Sequence, residues 1–167
     1  VEVLSEFPCK DLVTLRPKLV AQLQHKDSYY TRHAAVIVLG QLPQEELREV
    51  AAELVQRLDD SDASVRLSSL KVLGQLGPEE LSKQAAHVAK QLSASTTVTY
   101  GYRKKTVEAA EKVRAAALEM LMQLAPGGLS EAVPELVKQL DNTEASVEVR
   151  AATAKLLGQL APEDLGK

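Results

Sequence analysis

The residues with the strongest claim to chemistry are His25, His33, His87 and the single cysteine, Cys9. A metal centre needs imidazole, thiolate or carboxylate ligands that converge, and in sequence this is announced by close spacing. None of the three histidines has a His, Cys, Asp or Glu at a spacing that forms a local motif, and no His-Glu-x-x-His occurs. A nucleophilic Cys9 would need a base beside it in a concave pocket. The plainer reading is a buried or neutral loop thiol. Gly127-Gly128 after Pro126 is a turn rather than a phosphate-cradling loop. No catalytic residue, cofactor or metal is therefore expected.

Residues suited to contact are easier to find. All four tyrosines fall in two places, Tyr29 with Tyr30 and Tyr100 with Tyr102, and the second pair runs into Arg103, Lys104 and Lys105. Tyrosine offers a large area with a hydrogen-bonding tip and is favoured at interfaces. Three basic residues would neutralise only about three phosphates. With 20 basic against 23 acidic residues the net charge is −3, which gives no global pull toward nucleic acid or anionic lipid.

The elements that must position these residues repeat. Leu-Gly-Gln-Leu occurs at 39–42, 73–76 and 157–160, and Leu-Met-Gln-Leu at 121–124. Seven residues before each first Leu stands an Arg: Arg32, Arg66, Arg114 and Arg150. Five residues after each last Leu stands another Leu: Leu47, Leu81, Leu129 and Leu165. Repetition at this period is the signature of a solenoid of supersecondary units. Each unit reads as two helices. The first, in repeat 2, carries Leu47, Val50, Ala51, Leu54, Val55 and Leu58 on one face of period 3.6. The same face in repeat 4 is Leu129, Val133, Leu136, Val137 and Leu140. A polar turn such as Asp59-Asp60-Ser61-Asp62 then caps the second helix. The second helix carries the Arg, two small residues after it, and the Leu-Gly-Gln-Leu. Pro43, Pro78, Pro126 and Pro162 punctuate the units.

Successive arginines are separated by 34, 48 and 36 positions, so repeat 3 carries an insertion between its helices. The repeats are expected at 8–42, 43–77, 78–124 with insertion 93–111, and 125–160, flanked by 1–7 as the end of a preceding repeat and 161–167 as the start of a further one. Leu4-Ser5-Glu6-Phe7-Pro8 aligns with Leu39-Gly40-Gln41-Leu42-Pro43. The chain, truncated through a repeat at both ends, is read as a segment of a longer array or a protein whose ends are covered. Aromatics make up 3% of residues, with no Trp, so the core must be aliphatic. From Thr106 onward the insertion reads as helix that lengthens the second helix by about two turns. No apolar run approaches the ~20 residues that span a bilayer. A lone cysteine fits a reducing compartment, so an intracellular location is expected.

The unit resembles a HEAT repeat, on its two-helix length, the Asp in the turn, Val65-Arg66, Val113-Arg114 and Val149-Arg150 opening the second helix, and the closing Leu-Gly-x-Leu. The resemblance implies an all-α, right-handed α-solenoid of about four helical hairpins, with the second helices lining a concave face. It implies first helices kinked where Pro17 and Pro134 share an offset. It also implies a ladder joining the turn Asp and the Arg of successive units, broken where Ser93 replaces Asp59 and Asp141. The groove face would carry His33, Ile37, Leu67, Lys71, Glu119, Met122 and Lys155, and one edge the tyrosines and basic residues. The function expected is a non-enzymatic scaffold or adaptor that binds protein within a larger complex, with nucleic acid disfavoured. Rival readings are a HEAT-like enzyme subunit such as a bilin lyase, or a nucleic-acid-binding HEAT protein. The repeated His-Glu dipeptides of HEAT-like diiron hydroxylases are absent.

Overall fold

The computed structural model describes residues 9–93, 103–143 and 145–160. Every regular element among the described residues is a helix. The chain divides into two compact units, Val1–Leu76 and Gly77–Lys167.

In the first unit, α1 (Cys9–Leu23) and α2 (Tyr29–Leu39) form one hairpin, and α3 (Gln44–Glu49), α4 (Ala51–Gln56) and α5 (Ala63–Leu73) a second. The turns start the second helices as their polar residues suggest. Ser28 Oγ accepts from the Thr31 N–H at 3.2 Å, and Asp62 Oδ1 accepts from the Ser64 and Val65 N–H groups at 2.9 and 3.3 Å. Each satisfies helix-end donors that water would otherwise have to serve. α2 packs on α1 on one side and on α5 on the other. Leu23, Leu39, Leu70 and Leu73 on these helices are fully buried, as is Leu54 on α4, which packs against α5. Each such leucine contributes about 1.5–3 kcal/mol.

The Leu-Gly-Gln-Leu tetrapeptide has a physical role in that seam. After the glycine the backbone tightens to i→i−3 bonds, Gln41 N to Val38 O and Leu42 N to Leu39 O, both 3.0 Å. This ends the helix while carrying Leu42 inward, to 5% exposure. Gly40 itself is right-handed helical, φ −65°, so its role is close approach. A β-carbon there would lie 2.6 Å from Val72 Cγ2 of α5. In the second unit the variant Met122 is 54% exposed.

The first helix of repeat 2 is broken at Val50, with φ −109° and ψ 6°. The break is bridged by Val50 N to Leu47 O, 3.2 Å. Proline does not cause it. The same break falls at the same register in the second unit, at Gln84 between α6 (Pro78–Ser82) and α7 (Ala85–Lys90). It recurs at Ala132, between a 3₁₀ segment, Pro126–Ala132, and the helix Val133–Leu140. Pro17 lies inside an unbroken α1, and Pro134 occupies the first turn of its helix, where its missing N–H costs nothing.

The second unit continues with α8 (Arg103–Met122), α9 (Val133–Leu140) and α10 (Val147–Leu157). α7 packs against α8, α9 and the Pro126–Ala132 segment, and α10 against α8 and α9. α8 begins at Arg103 rather than near Thr106, so the basic cluster forms its first turn instead of a loop. Two apolar residues depart from the expected inner face. In repeats 2 and 3, short 3₁₀ turns at Arg57–Asp59 and Gln91–Ser93 rotate Leu58 and Leu92 inward, to 1% and 0% exposure. In repeat 4, α9 stays α-helical through its last residue, so Gln139 turns inward while Val137 and Leu140 remain 45% and 39% exposed.

Candidate functional site

The first unit places Tyr29 and Tyr30 as the first two residues of α2, directly after the Ser28 cap, rather than in the turn itself. Their rings pack with centroids 4.0 Å apart and planes tilted by 30°. Tyr30 is 70% exposed. The Tyr29 phenol is pushed up to about 12, first by hydrogen bonding with Tyr30, then by desolvation and by the negative charges it would meet at Tyr30 and Asp62. At neutral pH it is therefore a protonated hydroxyl able to donate.

Below Tyr30, between α1 and α2, lies an apolar groove of about 500 Å³. Leu12, Leu15 and Leu19 form one wall, Tyr30, Ala34, Ala35 and Val38 the other, with Gln22 and Thr31 as its polar members. Sequence reasoning had not identified this groove. The sequence signal for it is the small pair Ala34-Ala35 on α2.

A buried charge pair ties the two hairpins of this unit together. Arg32 donates from Nε to Asp60 Oδ2 at 2.7 Å and from Nη2 to Asp60 Oδ1 at 2.8 Å. Asp60 Oδ1 also accepts the Asp62 N–H at 2.9 Å. Burial alone would push the Asp60 carboxyl up. The Arg32 and Asp62 hydrogen bonds, with the charges of Arg32 and Arg57, outweigh it and hold the group below its ordinary value. The ladder residue is thus Asp60, one position after the expected Asp59, which is exposed. In the second unit Ser93 keeps a contact with the next repeat by accepting from Gln139 Nε2.

The remaining expected contact residues fall on outward parts of four second helices. His33 and Ile37 on α2 and Leu67 on α5 are half-buried. Lys71 on α5, Glu119 and Met122 on α8, and Lys155 on α10 are exposed. Arg103, Lys104 and Lys105 open α8, whereas Tyr100 and Tyr102 lie outside the described residues. Among the described residues no three His, Cys, Asp or Glu side chains come together to hold a metal ion. His25 is engaged as a turn residue: its Nδ1 accepts the Ser28 N–H at 3.2 Å and its carbonyl accepts from Arg32 Nη1 at 3.0 Å. No helix among the described residues is long and apolar enough to cross a membrane.

A search of curated proteins found no match. A family model described as HEAT repeats matches residues 16–100, just over half of the chain. That span holds the Arg32–Asp60 pair, the α2–α5 seam, the second half of α1 and the first helices of repeats 2 and 3. Together with the hairpins seen in both units, it establishes that this chain belongs to the HEAT-repeat family.

Proposed function

We propose that the chain is a non-enzymatic scaffold or adaptor that binds a protein partner through the tyrosine-bearing end of α2. HEAT repeats are in general protein-interaction scaffolds. The observation that carries the finer reading is the stacked Tyr29–Tyr30 pair, exposed on a helix end that is fixed from both sides. Exposed aromatics cost free energy in a free protein and repay it when a partner covers them. Fixing them on a packed helix removes the ordering cost that flexible loops incur on binding. The outward residues His33 and Ile37 continue the same helix and would extend the contact along it.

Two charged features set the character of the partner. The protein is acidic overall, and its described basic run lies on the first turn of α8. A polypeptide with apolar and hydrogen-bonding groups suits the tyrosine pair better than a phosphate backbone, which would call for a broad positive stripe.

The test uses the intact chain as bait beside a Tyr29→Ala, Tyr30→Ala double variant. Circular dichroism should show unchanged helicity in the variant. A partner captured by the parent chain should be lost or weakened at least about tenfold, the scale of one interface hot spot. Equal capture by both proteins would remove the tyrosine pair from the binding surface.

A further inference from the structure

The turns that open α2 and α5 lie side by side. Arg32, near the start of α2, reaches Asp60, just before α5, at 2.7 Å. At the other end Gly40, after α2, sits against Val72, near the end of α5. The two helices therefore run parallel. Lys26-Asp27-Ser28-Tyr29-Tyr30 at the start of one thus neighbours Asp59-Asp60-Ser61-Asp62 at the start of the other.

Charge at this edge is sorted by depth. Inside, Arg32 and Arg57 both pair with the buried Asp60. Half-buried Arg66 donates to the carbonyls of Asp60 and Ser61, at 2.7 and 3.2 Å. Outside, Asp27 and Asp59 are exposed, Asp62 is half-buried, and Lys26 adds an exposed cation. Three outward carboxylates thus stand against one outward ammonium. Asp62 caps α5 through Oδ1 alone, so its Oδ2 keeps lone pairs to offer. The Tyr29 phenol, pushed up to about 12 first by its hydrogen bond with Tyr30 and then by desolvation, also meets the Tyr30 and Asp62 charges.

We infer that this edge takes a basic polypeptide segment, an arginine guanidinium lying on the Tyr30 ring with the Asp27 and Asp62 carboxylates as its counter-charges. The inference rests on the tyrosine pair being a protein-binding surface and names the chemistry of the partner. An aromatic face carries negative charge density and attracts a cation within about 6 Å of its centroid. Tyr30 packs on Tyr29 at 4.0 Å and still leaves 70% of its surface in solvent, so the platform is both braced and open. Arginine suits it better than lysine, because the guanidinium is planar, weakly hydrated and able to stack while its fork pairs with a carboxylate. An acidic segment would be repelled by the same carboxylates. A purely aliphatic one would cover the rings and gain nothing from Asp27 and Asp62.

The test follows Tyr30 ring resonances in the intact chain by NMR during titration with acetyl-Leu-Arg-Leu-amide, and with counterparts carrying Gln or Glu in place of Arg. The arginine peptide should give saturable shifts and bind at least about threefold more tightly than the glutamine peptide, and the glutamate peptide should bind weakest. Asp27→Asn with Asp62→Asn should remove about threefold or more of the arginine affinity. Helicity should be unchanged in this variant, since Asn caps a helix as well as Asp. Equal affinity for the three peptides, or arginine binding untouched by the double Asn variant, would overturn the inference, as would the absence of any shift at Tyr30. Selective arginine binding that survives Tyr30→Ala would put the cation on the carboxylates alone and contradict the stacking. Capture with the Tyr29→Ala, Tyr30→Ala variant reports on the tyrosine surface itself, so the two readings fail independently.

Discussion

Arg32 and Arg114 occupy the same place in their repeats and are both buried, at 8% and 2% exposure, yet the chain surrounds them differently. Arg32 finds its carboxylate 28 residues away, on the turn of the next hairpin. Arg114 donates to Glu111, three residues earlier on its own helix, at 2.5 Å. The position matching Asp60 in repeat 4 is Asn142, which donates to Gln139 at 3.0 Å. Contacts between repeats in the second unit therefore include a neutral one, Gln139 to Ser93. A buried guanidinium always demands compensation, but where the compensation comes from decides what it joins. In the first unit the Arg32–Asp60 pair couples two hairpins, whereas the Arg114–Glu111 contact lies within one helix.

The largest expected effect breaks what the two regions share. Leu73 and Leu121 are equivalent and both fully buried. Leu73→Asp and Leu121→Asp should each abolish cooperative unfolding of the unit they lie in, because an unpaired carboxylate there costs more than about 4 kcal/mol. Loss of the helical signal, or a collapsed thermal transition, checks this.

Next comes the charge pair. Asp60→Ala leaves Arg32 buried without its partner and should cost about 3–5 kcal/mol at neutral pH. Its pH signature follows from the depressed Asp60 value. Stability contributed by the carboxylate is complete above the ordinary value of 3.8 and disappears as pH falls through the lower folded-state value. Denaturant midpoints should therefore fall for the parent chain below about pH 4, and the gap to Asp60→Ala should narrow there. Glu111→Ala, whose carboxylate is 39% exposed, should cost no more than about 1 kcal/mol. If the two substitutions cost the same, the distinction between the regions fails.

The smallest effect has the opposite sign. Ser69 and Ala117 share one register position and both are fully buried. The Ser69 hydroxyl has no hydrogen-bond partner among the described residues. Ser69→Ala should thus be neutral or stabilising by up to about 1 kcal/mol in a denaturant titration.

The hairpins were legible in the sequence because Arg and Leu-Gly-Gln-Leu recur at fixed offsets and the capping residues Ser28 and Asp62 carry their own chemistry. The choice of Asp60 over Asp59 was not legible. Adjacent aspartates look alike until the 3₁₀ turn at Arg57–Asp59 ends and Asp60 swings into extended backbone, ψ 144°. The breaks at Val50 and Gln84 leave no compositional mark either, since their φ/ψ values are open to ordinary residues. The exposure of Leu140 depends on whether a helix tightens in its last turn, which apolar spacing cannot reveal. Tyr29 and Tyr30 stand out in the sequence by residue type, whereas the groove beside them follows only from the packing of α1 on α2.

A double-mutant cycle between Arg32 and Asp60 measures the link between hairpins most directly. Arg32→Met, Asp60→Ala and the combined variant would be unfolded by denaturant at neutral pH. Predicted is a coupling energy of about 2 kcal/mol or more, within the range seen for residues in one network. Additivity within about 0.5 kcal/mol would contradict the claim that this buried pair, rather than apolar contact alone, joins the two repeats.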